Sequence, residues 1–369
     1  MKVLLTATVQ SHICQFHKPL VEILHQNGCE VHVAARDNLA EKNGLKLDFV
    51  EKVYNLPFAR SPKSTDNIKA YKELRKIIDK ENYDIIHCNT PMGGIVTRLA
   101  AKKARKKGTK VFYTAHGFHF YKGAPKKNWI VFYPIEKLFS RITDIVITIT
   151  EEDYLLAKKK FHCKVEHIHG VGANSSKFYV MSCSEKQKLR QELGIRENEK
   201  IILNIGELLP NKNQRTAINA MKDIVKKIPN SRLLIAGNGE EKENLENLIK
   251  ENGLEKYITM LGYTTQIQKY MNVCDILIAC SFREGLPLNL MEAMLCGKPI
   301  VASNNRGHRE LIRNGWNGYL VQAEDATAFA DKICDILLSK KDYVHIATET
   351  VRLFTDDNVK KELKQIYKL

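Results

Sequence analysis

Between Lys200 and Glu240 the chain reads KIILNIGELLPNKNQRTAINAMKDIVKKIPNSRLLIAGNGE. A short β-branched run, Ile201–Ile205, ends at Gly206. A helical stretch follows. A second run, Arg232–Ala236, ends at Gly237-Asn238-Gly239, and Glu240 opens the next helix. Strands this short, separated by a helical period, cannot pair as a hairpin. They read as a βαβ unit and therefore as part of a parallel sheet. Outward from this unit the rhythm continues through Tyr257–Leu261, Ile276–Ala279 and Pro299–Ala302. The first half has the same rhythm at Lys2–Ala7, Glu30–Ala35, Asp84–His87, Lys110–Thr114 and Ile145–Thr150. Two such series predict two doubly wound domains rather than one barrel. The break is expected near Gly170–Lys186, where Gly, Asn and Ser cluster.

The length agrees, since 369 residues at about 150 per domain give two domains. We place the first at 1–178 and the second at 179–345, with a helical tail at 346–369 packing back on the first. A hydrophobic content of 44% with 27% charged residues excludes a disordered chain. The longest apolar run, Trp129–Ile135, is far short of the ~20 residues of a membrane span. The first residues are too short an apolar stretch for a signal peptide. Nine cysteines without a C-x-x-C pair argue for reduced, buried thiols. These features predict a cytoplasmic protein.

The charge is uneven. Residues 1–180 hold 30 Lys/Arg against 17 Asp/Glu, whereas residues 181–369 hold 28 against 25. An excess confined to one half predicts an anionic partner there. Aromatics crowd the same half at Phe112, Tyr113, Phe118, Phe120, Tyr121, Trp129, Phe132 and Tyr133, with Lys122, Lys126 and Lys127 among them. Rings mixed with cations suit a membrane interface, and core packing is the competing reading. No helix-turn-helix, RNP or zinc-finger pattern is present, so nucleic acid is not expected as a partner.

Open parallel sheets take ligands beyond the carboxyl ends of their strands, so the strand-to-helix loops hold the candidates. After Ile201–Ile205 comes Gly206, then Lys212 before a helix, an arrangement suited to a diphosphate. Gly237-Asn238-Gly239 lacks the third glycine of the dinucleotide fingerprint, which argues against NAD. After Ile276–Ala279 comes Glu284-Gly-Leu-Pro-Leu-Asn-Leu-Met-Glu292. Pro287 is placed as a first helical residue. Glu292 then lies about a turn and a half inside the helix, where a carboxylate can accept from sugar or ribose hydroxyls. In the first half, Ala115-His116-Gly117-Phe118-His119 follows a strand, and His116 can hydrogen-bond a substrate or take a proton. His116 and His119 also raise metal ligation, but no third ligand is evident from spacing, so no metal is expected.

These residues carry a resemblance. The chain resembles the family-4 retaining glycosyltransferases of the two-domain GT-B fold, and among them the transferases of bacterial exopolysaccharide and capsule synthesis. The likeness rests on the E-x7-E of Glu284 and Glu292, on Tyr113–Pro125, on Asn305–Leu311 with Gly315–Val321, and on Ile168–Gly172 with Phe178. It implies an α/β fold of two Rossmann-like domains facing a cleft. It implies Glu284 at the donor sugar, Glu292 at the ribose, Lys212 at the diphosphate and His116 near the transferring sugar. Gly206, Gly237, Asn238, Gly239, Gly285, Leu286, Pro287 and Leu288 would line the donor, with Gly262 and Tyr263 at the nucleobase. Ser11, His12, His17 and His119 are acceptor-side candidates. Two positions depart from the family: Glu207 stands where many relatives have Arg, and Thr8–His12 lacks their glycine pair.

The expected activity is retaining transfer of a sugar from a nucleotide-sugar, a UDP-hexose or UDP-N-acetylhexosamine. The expected acceptor is a polyprenyl-diphosphate-linked saccharide at the inner face of the cell membrane, where the protein would associate peripherally. Neither a cofactor nor a metal is expected. A sugar-nucleotide epimerase of the same architecture, or a non-catalytic basic protein bound to the membrane surface, are the alternatives.

Overall fold

Each of the ten expected strands forms, and each sheet is parallel throughout. The computed structural model describes residues 1–41 and 44–369. The first sheet contains β1 (Lys2–Val9), β2 (Glu30–Arg36), β3 (Lys52–Asn55), β4 (Ile85–Asn89), β5 (Lys110–Ala115), β6 (Ile145–Thr148) and β7 (Lys164–His167). Its order is β3-β2-β1-β4-β5-β6-β7. The second contains β8 (Lys200–Ile205), β9 (Ser231–Ala236), β10 (Ile258–Gly262), β11 (Ile276–Ala279), β12 (Ile300–Ser303) and β13 (Gly318–Val321), in the order β10-β9-β8-β11-β12-β13. Among the described residues no helix is long and apolar enough to cross a membrane.

The centre of each sheet reads as a continuous apolar run because helices cover both faces. Val3 and Leu4 pair with Ile85 and Ile86 in one sheet, and Ile202 and Leu203 pair with Ile276 and Leu277 in the other. All eight are buried, and fully burying a side chain of this size stabilises by about 1.5–3 kcal/mol. The order reverses between β1 and β4, and again between β8 and β11. Such switch points open a crevice at the strands' carboxyl ends. The loops leaving β1, β4, β8 and β11 are therefore the places where each unit can hold a ligand.

The first unit is Met1–Gly172 with Asp356–Leu369, and the second is Ala173–Thr355. The first division thus falls six residues before the expected boundary, because Phe178 is buried in the second unit's core. The expected tail splits. The helix Tyr343–Val351 stays with the second unit, burying Ala347 and Val351 there. The helix Asp356–Tyr367 returns to the first. Its Val359 and Leu363 are buried, Lys360 pairs with Glu22 at 2.7 Å, and the Tyr367 hydroxyl meets His87 Nδ1 at 2.5 Å.

Candidate functional site

Three strand ends in the second unit are joined main chain to main chain. Gly206 N–H donates to the Ala236 carbonyl at 3.0 Å, Gly237 N–H to the Gly262 carbonyl at 2.9 Å, and Leu208 N–H to the Asn238 carbonyl at 2.9 Å. Glycine is required by this closeness. A Cβ on Gly237, whose φ is +149°, would lie 1.9 Å from the Gly206 carbonyl oxygen, and one on Gly239 would lie 2.3 Å from that of Leu208. Gly206, Gly237, Asn238, Gly239 and Gly262 therefore form one continuous backbone floor. Tyr263, at its edge, is about half exposed.

Lys212 rises beside this floor. A Cβ on Gly206 would touch its side chain at 3.4 Å, and its Nζ contacts Glu284 Oε1 at 2.6 Å. The loops bearing the two residues are fixed by asparagines. The Asn211 amide donates to the Arg283 carbonyl at 3.0 Å. Asn213, in the left-handed region at φ +53°, donates to the carbonyls of Cys280 and Ala323. The Asn289 amide reaches the Ile205 carbonyl at 3.0 Å. Thus Lys212 and Glu284 are half-buried charges held on rigid strand exits, the arrangement that preorganised electrostatics requires.

Pro287 is in extended conformation as the N-cap, so the helix begins one residue later than its sequence position implied, at Leu288. Glu292 lies five residues into that eight-residue helix. Burial pushes its carboxyl up to about 7, against a small opposing pull from Lys177. Desolvation disfavours the charged form, so this carboxylate is held ready for a hydroxyl-bearing partner.

The loop after β12 completes this side, although its residues carried no individual role in the sequence reading. A Cβ on Gly307 would meet the Gly285 carbonyl at 2.3 Å, so the helix Arg306–Leu311 abuts the Glu284–Gly285 turn. Asn305 caps that helix by accepting from His308 N–H, and donates to the Ser281 carbonyl. His308 is fully buried, with Nδ1 at 2.7 Å from the Ser303 carbonyl, and burial lowers it to about 4. The sequence signal was the Asn-x-x-His spacing, a cap followed by the residue it holds.

The first unit gathers a different set. Ser11 and Asn38 are joined by two hydrogen bonds, 3.1 and 2.9 Å. His12 Nε2 lies 3.2 Å from His116 Nε2, which lies 3.4 Å from Asn89 Oδ1. His17 meets both rings edge-on or tilted, with centroids 5.4 and 5.5 Å away. Burial, followed by repulsion among these imidazoles, keeps His12 and His17 well below the usual histidine value, and burial puts His116 at about 4. Of the expected histidine pair only His116 belongs to this group. His119 is exposed and stacks on Phe132 at 4.6 Å.

Beside these histidines the first unit holds a cavity of about 520 Å³, lined mainly by apolar groups including Val9, Met92, Ile95, Phe132 and Ile135. Glu136 and Tyr113 line it, and behind them Arg98 donates twice to Glu136 at 3.0 Å, while the Tyr113 hydroxyl donates to the same carboxylate at 3.3 Å. Its wall includes Thr90, a β-branched residue at φ +61°, held by Thr8 through a 2.7 Å hydroxyl contact. Strain of this kind persists only where the surroundings fix it. Phe112, Tyr113, Phe118 and Phe120 are core residues, and Trp129, Phe132 and Tyr133 are half-buried against that core. The exposed apolar groups of the helix Lys126–Phe139 are instead aliphatic: Ile130, Val131 and Leu138.

Residues 185–351 match the model of glycosyl transferases group 1, and residues 2–150 that of glycosyl transferase 4-like proteins. The chain is 43% identical to EpsD of Bacillus subtilis (strain 168), which carries the name of a glycosyltransferase, over 90% of this chain and 86% of that protein. It is 29% identical to an Escherichia coli UDP-Gal:α-D-GlcNAc-diphosphoundecaprenol α-1,3-galactosyltransferase, over 72% of this chain and 70% of that one. HepE of Anabaena, solved in complex with UDP-glucose, superposes with a TM-score of 0.78 at 21% identity, over 100% of this chain and 99% of HepE, a likeness of fold.

Proposed function

The chain belongs to the group 1 glycosyltransferases and has their two α/β units, and we propose that it is a retaining transferase moving a hexose or N-acetylhexosamine from a UDP-sugar to a polyprenyl-diphosphate-linked saccharide. The observation that carries this reading is the half-buried Lys212–Glu284 pair beside the glycine floor of the second unit. A diphosphate laid on that floor meets Lys212 as the sugar–phosphate bond breaks, and the cation stabilises the charge that develops. Glu284 then exchanges its lysine partner for hydroxyls of the donor sugar. Glu292 accepts from the ribose, whose hydroxyls replace the water its carboxylate has lost. The loop Gly285–Leu288 presents backbone to the sugar and phosphates, and Tyr263 packs on the base. With Lys212 and backbone amides facing the diphosphate, no metal is required in that role.

The first unit takes the acceptor. Its cavity is wide and apolar enough for the first isoprenoid units of a lipid carrier, and exposed Arg60 at its rim suits the diphosphate. His116 faces the attacking hydroxyl, and the leaving phosphate receives that hydroxyl's proton. A role in exopolysaccharide or capsule synthesis, at the inner membrane face, fits this acceptor. EpsD, and the undecaprenol-linked acceptor in the Escherichia coli relative's name, support the reading.

The test is transfer itself. Radiolabelled UDP-sugars are offered with and without a polyprenyl-diphosphate-linked N-acetylhexosamine. Label passing to the solvent-extractable lipid, with the donor's α-configuration kept by NMR, is the expected result. Donor turnover that is independent of acceptor would replace the reading with an epimerase.

A further inference from the structure

His12, His17 and His116 come from separate places: the short helix Gln10–Phe16, the residue that ends it, and the exit of β5. The fold nonetheless brings one ring nitrogen of each within 4.8 Å of the others. His12 and His116 can satisfy each other through one shared proton. His17 has no such solution. It is 5% exposed, and its Nε2 is buried without a hydrogen-bond partner among the described residues. A buried imidazole nitrogen in that condition demands an explanation, because leaving it unpaired costs about 1–3 kcal/mol. Three imidazoles facing one point, one of them unpaired, are what a cation with three protein ligands and an open position uses.

The donor set also states which cation. All three donors are imidazole nitrogens and no carboxylate belongs to the group. Calcium and magnesium prefer oxygen ligands, whereas zinc, cobalt and nickel are well served by imidazole. Asn89 Oδ1, 3.4 Å from His116 Nε2, lies close enough to accept from a water bound at the open position. We propose that His12, His17 and His116 form a binding site for one d-block divalent cation of the zinc–cobalt class in the first unit. Occupancy engages the ring of His116 and so withdraws it from an acceptor. The site stands apart from the transferase reading, because metal binding is measured without any sugar substrate.

The test uses the full chain without a polyhistidine tag, stripped with chelator and titrated with cobalt(II) as the probe. One equivalent should bind, with the visible d–d absorption of a four- or five-coordinate site and no thiolate charge-transfer band. His12→Ala and His17→Ala should each weaken binding at least about tenfold, and His119→Ala should leave it unchanged, since that ring stacks on Phe132. If His17→Ala fails to fold, half-buried His12 decides. Failure to bind one equivalent with cobalt in about 100-fold molar excess over protein, affinity unchanged in His12→Ala, or a thiolate band would each overturn the site.

Discussion

The two units place their candidate residues at equivalent switch points but build them by different means. In the second unit the floor is backbone against backbone, and a Cβ on Gly237 or Gly239 would lie about 2 Å from a backbone oxygen. The charged groups are paired, Lys212 with Glu284. In the first unit the corresponding crevice is made of side chains, with three imidazoles and an apolar cavity, and His17 Nε2 has no hydrogen-bond partner among the described residues. The difference teaches that a unit reading a constant group, such as a nucleoside diphosphate, can be rigid and backbone-built. On the proposed function, the unit that reads the more variable acceptor is built from replaceable side chains.

The most severe break in this contrast is removal of the paired cation. Lys212→Ala should lower kcat/KM by about 10²–10³, the loss seen when one preorganised stabilising group is deleted. Steady-state kinetics with donor and acceptor each varied in turn checks it, and a change confined to acceptor KM would place Lys212 on the wrong side. Next comes the backbone floor. Gly237→Ala drives a Cβ to 1.9 Å from the Gly206 oxygen and should destabilise the second unit by about 2–4 kcal/mol. Gly123→Ala, where nothing lies within 4 Å, bears only its positive φ and should cost about 1 kcal/mol. Urea unfolding of both variants makes the comparison.

Glu292 sharpens the contrast through pH. Its carboxyl is raised from 4.5 to about 7 in the folded chain. Between those values the native state holds more protons than the unfolded state, so this group's contribution to stability falls as pH rises from 4.5 and levels off above 7. Glu292→Gln, neutral throughout, should therefore raise stability by about 1–3 kcal/mol at pH 8 and by almost nothing near pH 4.5. The same variant should bind UDP poorly. Thermal melts across pH, with and without UDP, read both effects. Stability lost at pH 8 would show that burial does not disfavour this charge. The smallest effect concerns the first unit's surface. Reversing exposed Lys126 and Lys127 to Glu should cut partitioning onto anionic vesicles by about tenfold or more, at about 1 kcal/mol per basic residue. Vesicle sedimentation at low and high salt measures it, and salt-independent partitioning would remove electrostatics from the account.

Legibility in the sequence followed the same division. The strands at the centre of each sheet were readable because burial on both faces makes them continuous apolar runs. β3, β7 and β13 were not, being four-residue edge strands with half-exposed or polar residues. Gly206, Lys212, Glu284 and Glu292 were readable because each lies in or just past a strand exit, where spacing along the chain is spacing in the site. His308 was quoted in the family motif, but its burial against Ser303 is a tertiary fact. The histidine group was illegible for a plainer reason: His12 and His116 are 104 positions apart, and no periodicity links them. His119, the neighbour that sequence proximity suggested, turns to Phe132 instead.

The central claim is that the second unit's floor and its two glutamates hold a nucleoside diphosphate. Titration calorimetry of UDP into the wild-type chain, Lys212→Ala and Glu292→Ala, with GDP and ADP as controls, tests it most directly. One UDP should bind the wild type, more tightly than GDP or ADP, and both variants should lose that affinity. Equal UDP affinity in the wild type and Glu292→Ala, or no preference among the three nucleotides, would contradict it.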